Sequence, residues 1–450
     1  MQEETVKREN VDVLIAGGGV AGTAVAAALS QLGLSILIVE AGPGRGRRLA
    51  GELIHPLGVE GLHELGLLDK ASDLGSSVAG FAIFPFSRDE GPEAMLLPYS
   101  ESHGMNRCGV AIEHNVLKQH LLEKVRRLAG VNVWLNARVS RMEGAPDRPF
   151  CATVRSASVE TQVQARLIIG ADGPMSQMRK MIGITHETQR YSGMVGIEVE
   201  DTHLPHKGYG NIFLNPAGVS YAYAISKGRA RVMFEVLKGA DRRESIQTHL
   251  SLFPSAFRRD IEHVLATDKP LAAANFCIIP ETSVKSNVAF VGDARGCCHP
   301  LTASGITAAV KDALILRDTL RETQLDFAAA LRRYSQACGR LQLTRRTLAE
   351  ELREAFLGQT RETALLSQCI FSYWRTNSKG RFRSMALLSM LDTSIVSLAG
   401  QYALVALQAF RLLPRWFKQR DLIAWHRGVF RLIYKSFTFQ HAAMRQWLNE

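Results

Sequence analysis

Cysteine is scarce in this chain and nothing pairs it. The seven in 450 residues (108, 151, 277, 297, 298, 338 and 369) are odd in number and lack C-x-x-C spacing, which argues against a disulfide framework or a structural zinc module. A reducing compartment and no metal are expected. The adjacent Cys297 and Cys298 read as small apolar fillers with no catalytic role. The opening MQEETVKREN has no apolar stretch of the kind that signals or anchors carry, so the cytoplasmic side is the expected location. Repeats and low-complexity tracts are also missing, which excludes a solenoid. Acidic residues are in deficit, and the net charge is +11; without a recognised nucleic-acid module, no nucleic-acid partner is expected. Late in the chain the uncharged run 393–410 approaches the ~18–20 residues that a spanning helix needs, but its serines, glycine and two glutamines make it a poor spanner.

Glycine, in contrast, is placed with pattern. The apolar run 11–16 leads directly into Gly17-Gly18-Gly19-Val20-Ala21-Gly22 and then an alanine-rich helical stretch. Gly17 permits the tight turn, Gly19 lets a pyrophosphate approach the backbone, and Gly22 lets the helix pack close to the strand. A second strand, 35–39, ends at Glu40-Ala41, where a carboxylate can bind a ribose. These features predict an adenine dinucleotide. Two more strands end in acid–glycine turns, one at Asp172-Gly173 and one at Gly292-Asp293, the latter opening a helix after a small-residue loop. Such turns present backbone N–H groups to an anion.

The rest of the chain reads coarsely. Helical spacing covers 51–68 and 112–128, and short alternating strands run from 194 to 236, predicting an antiparallel layer. Beyond about residue 325 the pattern is helical. No second G-x-G-x-x-G marks a nicotinamide domain. Between Arg411 and Lys435, seven basic residues face the single acid Asp421, with Trp416, Phe417, Trp425, Phe430 and Tyr434 among them. That composition suits helices lying in a membrane interface; a helical cap packed on the body is the alternative.

The three turns together resemble the flavoprotein monooxygenases of the aromatic-hydroxylase class. GELIHPLGVEGLHELGLLD at 51–69 and HPLTASGITAAVKD at 299–312 are similar to stretches of the squalene monooxygenase family, as are Ser283-Val284-Lys285 and ADGPMSQMRK. The resemblance implies an α/β fold: a Rossmann-like FAD-binding domain (9–80, 105–190 and 285–322), an inserted antiparallel-sheet substrate domain (81–104 and 191–284), and an α-helical C-terminal region (323–450). It implies FAD held by Gly17, Gly19, Val20, Ala21, Gly22, Glu40 and Ala41 at the adenosine end, with Arg48 on the phosphates and Val139 by the adenine. Asp172, Gly292, Asp293, Pro300, Gly305 and Ile306 would serve the pyrophosphate and flavin end.

The implied reaction is epoxidation, through a flavin hydroperoxide, of an alkene in a lipophilic isoprenoid: squalene, a smaller terpenoid or a prenylated aromatic such as a farnesylated quinolone. O2 is the co-substrate, and NADPH or NADH supplies electrons directly or through a separate flavin reductase. Membrane association would be peripheral, through the C-terminal helices. The family's Gln is His55 here, its substrate-side Tyr is Phe81, and its phosphate-contacting Arg near Asn115 and Val116 is missing. His55, Phe81 and Gly305 are the flavin-proximal catalytic candidates; His299 is expected to satisfy backbone carbonyls. The alternatives are an aromatic-ring hydroxylase of the phenol or quinolone type, an FAD-dependent prenyl reductase, and a non-catalytic flavin-binding membrane protein.

Overall fold

The computed structural model describes residues 7–44, 49–70, 73–85, 93–103, 107–143, 150–157, 159–215, 217–358, 360–418 and 421–448. Two large sheets, a small three-stranded sheet of Leu53–Ile54, Gly109–Ala111 and Ser76–Val78, and a helical cap organise them. The first sheet runs in the order Val284–Lys285, Val288–Phe290, Val159–Gly170, Lys7–Ala16, Ile36–Glu40, Val131–Leu135. The last five are parallel to one another. Its central strands read as unbroken apolar runs because both faces are covered. Val13 and Ile15 pack with helices Val20–Ser30, His114–Val125 and Gly305–Glu322. Leu14 and Ala16 point the other way, into a core shared with the hairpin strands Ala137–Glu143 and Phe150–Ser156, as the two-residue side-chain period of a strand requires.

Register is what makes this sheet useful. Ala16 lies opposite Gly170 on one side and Val39 on the other, and Gly170 lies opposite Phe290. Four strands therefore end at one level, and Gly17, Glu40, Asp172 and Gly292 leave the same carboxyl edge, where open α/β sheets bind their ligands.

The second sheet has seven strands, in the order Leu271–Pro280, His186–Glu200, Arg229–Leu237, Gly218–Ser226, Gly210–Asn215, Gly80–Phe84, Met95–Pro98. One face, with Val195, Ile197, Phe213, Val232 and Phe234, is covered by helices Arg242–Leu250 and Ser255–Thr267. The other carries Phe81, Ile83, Met194, Tyr221 and Tyr223, and joins one core with Leu301 and the C-terminal helices.

Those helices are Phe327–Leu357, Arg361–Thr376, Ser378–Leu388, Ile395–Ala406, Gln408–Lys418 and Leu422–Leu448. Side-chain caps fix several of their starts. Asp326 accepts from the Ala329 N–H, Asn377 from Gly380, and Thr360 with Thr363 forms a reciprocal capping box. The uncharged run 393–410 divides into two of the helices, with Leu398, Tyr402 and Ala409 buried. The span Ile395–Lys418 is long and apolar enough to cross a membrane by length and composition, yet 44% of its most apolar window is buried in the protein. Leu407, Phe410, Phe417, Ile423, Phe430, Tyr434 and Phe437 remain exposed along this end of the chain.

Candidate active site

The glycine turns are sterically forced. Gly17 has φ +114°, and a Cβ there would lie 2.3 Å from the Ala171 carbonyl oxygen; at Gly22 it would lie 1.9 Å from that of Gly17. Gly292 has φ +56°, and its Cβ would meet the Ala21 methyl at 2.7 Å. So the first and last motifs touch through Ala21 and Gly292. Gly19 and Gly305 differ: a Cβ at either would meet nothing within 4 Å. Each opens a helix whose N-cap makes no side-chain hydrogen bond. The first-turn amides, Val20 and Ala21 in one helix and Gly305 and Ile306 in the other, have no intrahelical partner. Two open helix ends at one sheet edge suit a phosphate and a developing negative charge.

At the end of the Ile36–Glu40 strand, one oxygen of Glu40 accepts from the Gly18 N–H at 2.7 Å and the other from Lys118 Nζ at 3.0 Å. Lys118 was not picked out in the sequence. It sits on His114–Val125, one turn beyond Asn115, and supplies a cation to a helix that lacks the expected arginine. Ala41 is exposed beside Glu40. The Val139 side chain is buried in the core under the sheet, which leaves only its backbone for an adenine contact. Arg48 lies outside the described residues.

Asp172 is exposed and accepts from the Met178 N–H at 3.0 Å. Arg179, also missed, is buried and donates to the carbonyls of Pro174 and Ala294, tying the Asp172 turn to the Gly292 turn. Asp312 anchors the latter from behind. It accepts from Gly292 N–H at 2.8 Å and from Arg295 at 2.9 and 3.0 Å, fully buried. Asp293 and Pro300 are exposed on this loop. Ala303 is left-handed at φ +50°, and Thr302 and Ser304 share a hydroxyl hydrogen bond of 2.9 Å.

His55 lies beneath this loop, fully buried. Its Nε2 is 2.9 Å from the Thr302 carbonyl and its Nδ1 is 2.6 Å from the Tyr99 hydroxyl. A carbonyl only accepts, so Nε2 carries the proton and Nδ1 accepts from Tyr99. Phe81 stands edge-on to both rings, with centroids 6.0 Å away. Tyr99 is a further residue that sequence reading overlooked: its hydroxyl meets His55 from 44 positions along the chain, a contact with no local signal. Burial pushes its pKa well above 10, which keeps it a donor.

Two buried carboxylates connect the loops to the antiparallel sheet. Glu52 accepts from Arg231 through Nε and Nη2 at 2.8–3.2 Å and from the Tyr223 hydroxyl at 3.1 Å. Burial raises the Glu52 pKa, with Arg231 opposing. Four residues along the same strand, Glu235 accepts from Ser192, from the Val219 N–H at 3.2 Å and from His299 Nε2 at 3.1 Å. His299 was expected to satisfy backbone carbonyls. It bonds a carboxylate instead, because the sheet brings Glu235 beside it, and its Nδ1 accepts from the Leu301 N–H. Cys297 is buried, and Cys298 Sγ accepts from Arg345 Nε at 3.3 Å. Among the described residues no cluster of three metal-ligating side chains occurs.

The family model for squalene epoxidase matches residues 164–426. The chain belongs to the squalene epoxidase family. It is 26% identical to squalene epoxidase 2, mitochondrial, of Arabidopsis thaliana over 427 residues, covering 90% of this chain and 71% of that protein. To the squalene monooxygenase of Mus musculus it is 26% identical over 418 residues, with 88% and 71% covered. Among solved structures, p-nitrophenol 4-monooxygenase of Pseudomonas putida superposes with a TM-score of 0.71 at 17% identity, covering 85% of this chain and 99% of that one. HpxO of Klebsiella pneumoniae, complexed with FAD, gives 0.66 at 23%, covering 84% and 99%. Those two likenesses are of fold. The family is one of FAD-dependent monooxygenases, and the turns at the sheet edge, with space above Gly19 and Gly305, fit that cofactor.

Proposed function

We propose that the protein epoxidises an alkene of a lipophilic isoprenoid, with FAD lying across the sheet edge from Glu40 to the Gly305 helix end and with electrons from NADPH or NADH. Bound FAD supplies the activation of O2. The protein's part is to orient, to keep water out and to place donors: the Gly305 and Ile306 amides face developing charge, while His55, bonded between Tyr99 and Thr302, fixes the loop that presents them. The cofactor assignments of Gly17, Gly19, Val20, Ala21, Gly22, Glu40, Ala41, Asp172, Gly292, Asp293 and Pro300 belong to the same proposal.

One observation carries the lipophilic substrate. A small apolar hollow of about 60 Å³ lies among the C-terminal helices and is walled by Leu352, Leu366, Ile370, Trp374, Leu398 and Val405. It shares Leu348, Leu387 and Leu388 with a second hollow, no larger than about one water, that reaches Thr302 and Ser304 at the start of the Gly305 helix. A prenyl chain entering from a bilayer would part these shared leucines along that line, and the exposed aromatic and basic residues of the last helices suit peripheral attachment to an anionic membrane face. FAD-loaded enzyme incubated with prenyl compounds, NADPH and 18O2 should add one labelled oxygen to a chain alkene. Label found only in an aromatic ring would favour the hydroxylase alternative.

A further inference from the structure

The sheet face turned toward the candidate site holds two buried polar atoms that nothing satisfies: the Tyr221 hydroxyl and Arg231 Nη1. Both residues are at least nine-tenths buried, at 8% and 2% exposed. The register makes them neighbours. Tyr221 lies opposite Met233 and Tyr223 opposite Arg231, so Tyr221 and Arg231 are diagonal partners at roughly 7–8 Å, within reach of one group between long side chains. Folded proteins seldom leave such groups unmet, and a recurring reason for one is a catalytic role or a small molecule or ion bound there.

Their surroundings say where that ligand sits. Arg231 is held by Glu52 of the segment that continues to His55, and Glu235, on the same strand, is held by His299 of the segment that continues to Gly305. Tyr221 and Met233 occupy the stretch of sheet between the two pins. A group on these donors therefore lies between the two segments that build the site.

The charge balance says what kind of group it is. The single guanidinium of Arg231 already faces two carboxylates, Glu52 and Glu198, with Arg229 also on Glu198. No positive charge is left over for an anion. We infer that Tyr221 and Arg231 bind a neutral oxygen, a carbonyl or hydroxyl, on the substrate. The substrate is then an isoprenoid with an oxygen-bearing end, not a hydrocarbon such as squalene. This rests on the epoxidase reading above.

The test uses FAD-loaded enzyme, Tyr221→Phe, and two probes, farnesylacetone and squalene. Equilibrium dialysis should show the wild type preferring the ketone, with the substitution weakening ketone binding roughly five- to tenfold, the worth of one hydrogen bond, and leaving squalene unchanged. Because the lost hydroxyl had no partner, the melting temperature of the variant should hold or rise. Equal binding of the two probes, no binding of the ketone, or an equal loss for both overturns the inference. Flavin carbonyls are oxygens of the same chemistry; a changed flavin absorbance spectrum in the probe-free variant would assign the donors to the cofactor and also overturn it. Labelled-oxygen incorporation separates the two readings. Tyr221-dependent ketone binding without oxygenation defeats the epoxidase reading alone, and oxygenation of both probes, insensitive to Tyr221→Phe, defeats this inference alone.

Discussion

Replacing Asp312 by Asn removes one charge from the buried ion pair behind the Gly292 turn. Asp312 is 0% exposed and Arg295 4%, and the carboxylate accepts three of the hydrogen bonds that define the loop, two from Arg295 and one from the Gly292 amide. Asn retains the shape but turns an NH2 toward donors and leaves the guanidinium uncompensated. Breaking a buried pair in this way costs about 3–5 kcal/mol. With an unfolding entropy of about 2.1 cal/mol/K per residue, a cooperative unit of this length has a total near 0.9 kcal/mol/K, so Tm should fall by about 3–5 °C. The Gly292 turn also touches Ala21 of the first motif, so FAD should dissociate more readily. Differential scanning calorimetry of the apo and FAD-loaded forms measures both. The double variant Arg295→Met with Asp312→Leu should recover most of the stability, since apolar replacement of a buried pair is close to neutral, but not the FAD affinity, because the Gly292 amide then has no acceptor. A Tm within about 1 °C of wild type for Asp312→Asn, far below the shift expected for a buried pair, together with undiminished FAD affinity, would refute the reasoning.

Gly19→Val should leave the apo melting temperature nearly unchanged, since the side chain enters open space, while lowering FAD affinity at least tenfold in a flavin fluorescence titration; Gly22→Val should instead prevent folding, as its Cβ would collide with the Gly17 carbonyl. Burial pushes the Glu235 carboxyl up, but His299, Ser192 and the Val219 amide outweigh it and hold the pKa below the usual 4.5. Its contribution is thus complete above pH 4.5 and is lost as pH falls through the lower folded value, so a Glu235→Gln variant should show a flatter stability profile below pH 4.5 in urea titrations. Phe417→Ser with Phe430→Ser, both on exposed positions, should weaken sedimentation with phosphatidylserine vesicles at constant Tm; unaltered sedimentation would remove these helices as the attachment face. Deleting the region outright is a poor test, because Trp416 and Trp425 are buried in the same core as Phe81.

Strand-ending glycines and acids were legible in the sequence because each local signal, an apolar run followed by a turn residue, forces its own geometry. Gly17, Gly22 and Gly292 are required by contacts within one motif or between two motifs at the same sheet edge, and Glu40 by its place at a strand end. The family segments at 51–69 and 299–312 were equally visible as linear patterns. What those segments bind to was not. Tyr99 on His55, Arg231 on Glu52 and Glu235 on His299 join residues separated by 44, 179 and 64 positions, and nothing near either partner marks the pairing.

The sequence by itself therefore determined the cofactor scaffold, because phosphate-binding turns are built from backbone and need only glycine, a strand and a helix in order. Tertiary structure decided the substrate side. The roof of the site is a sheet from a different part of the chain, and only its register places Tyr221 and Arg231 side by side between the two loops and sets their donors facing inward without a partner.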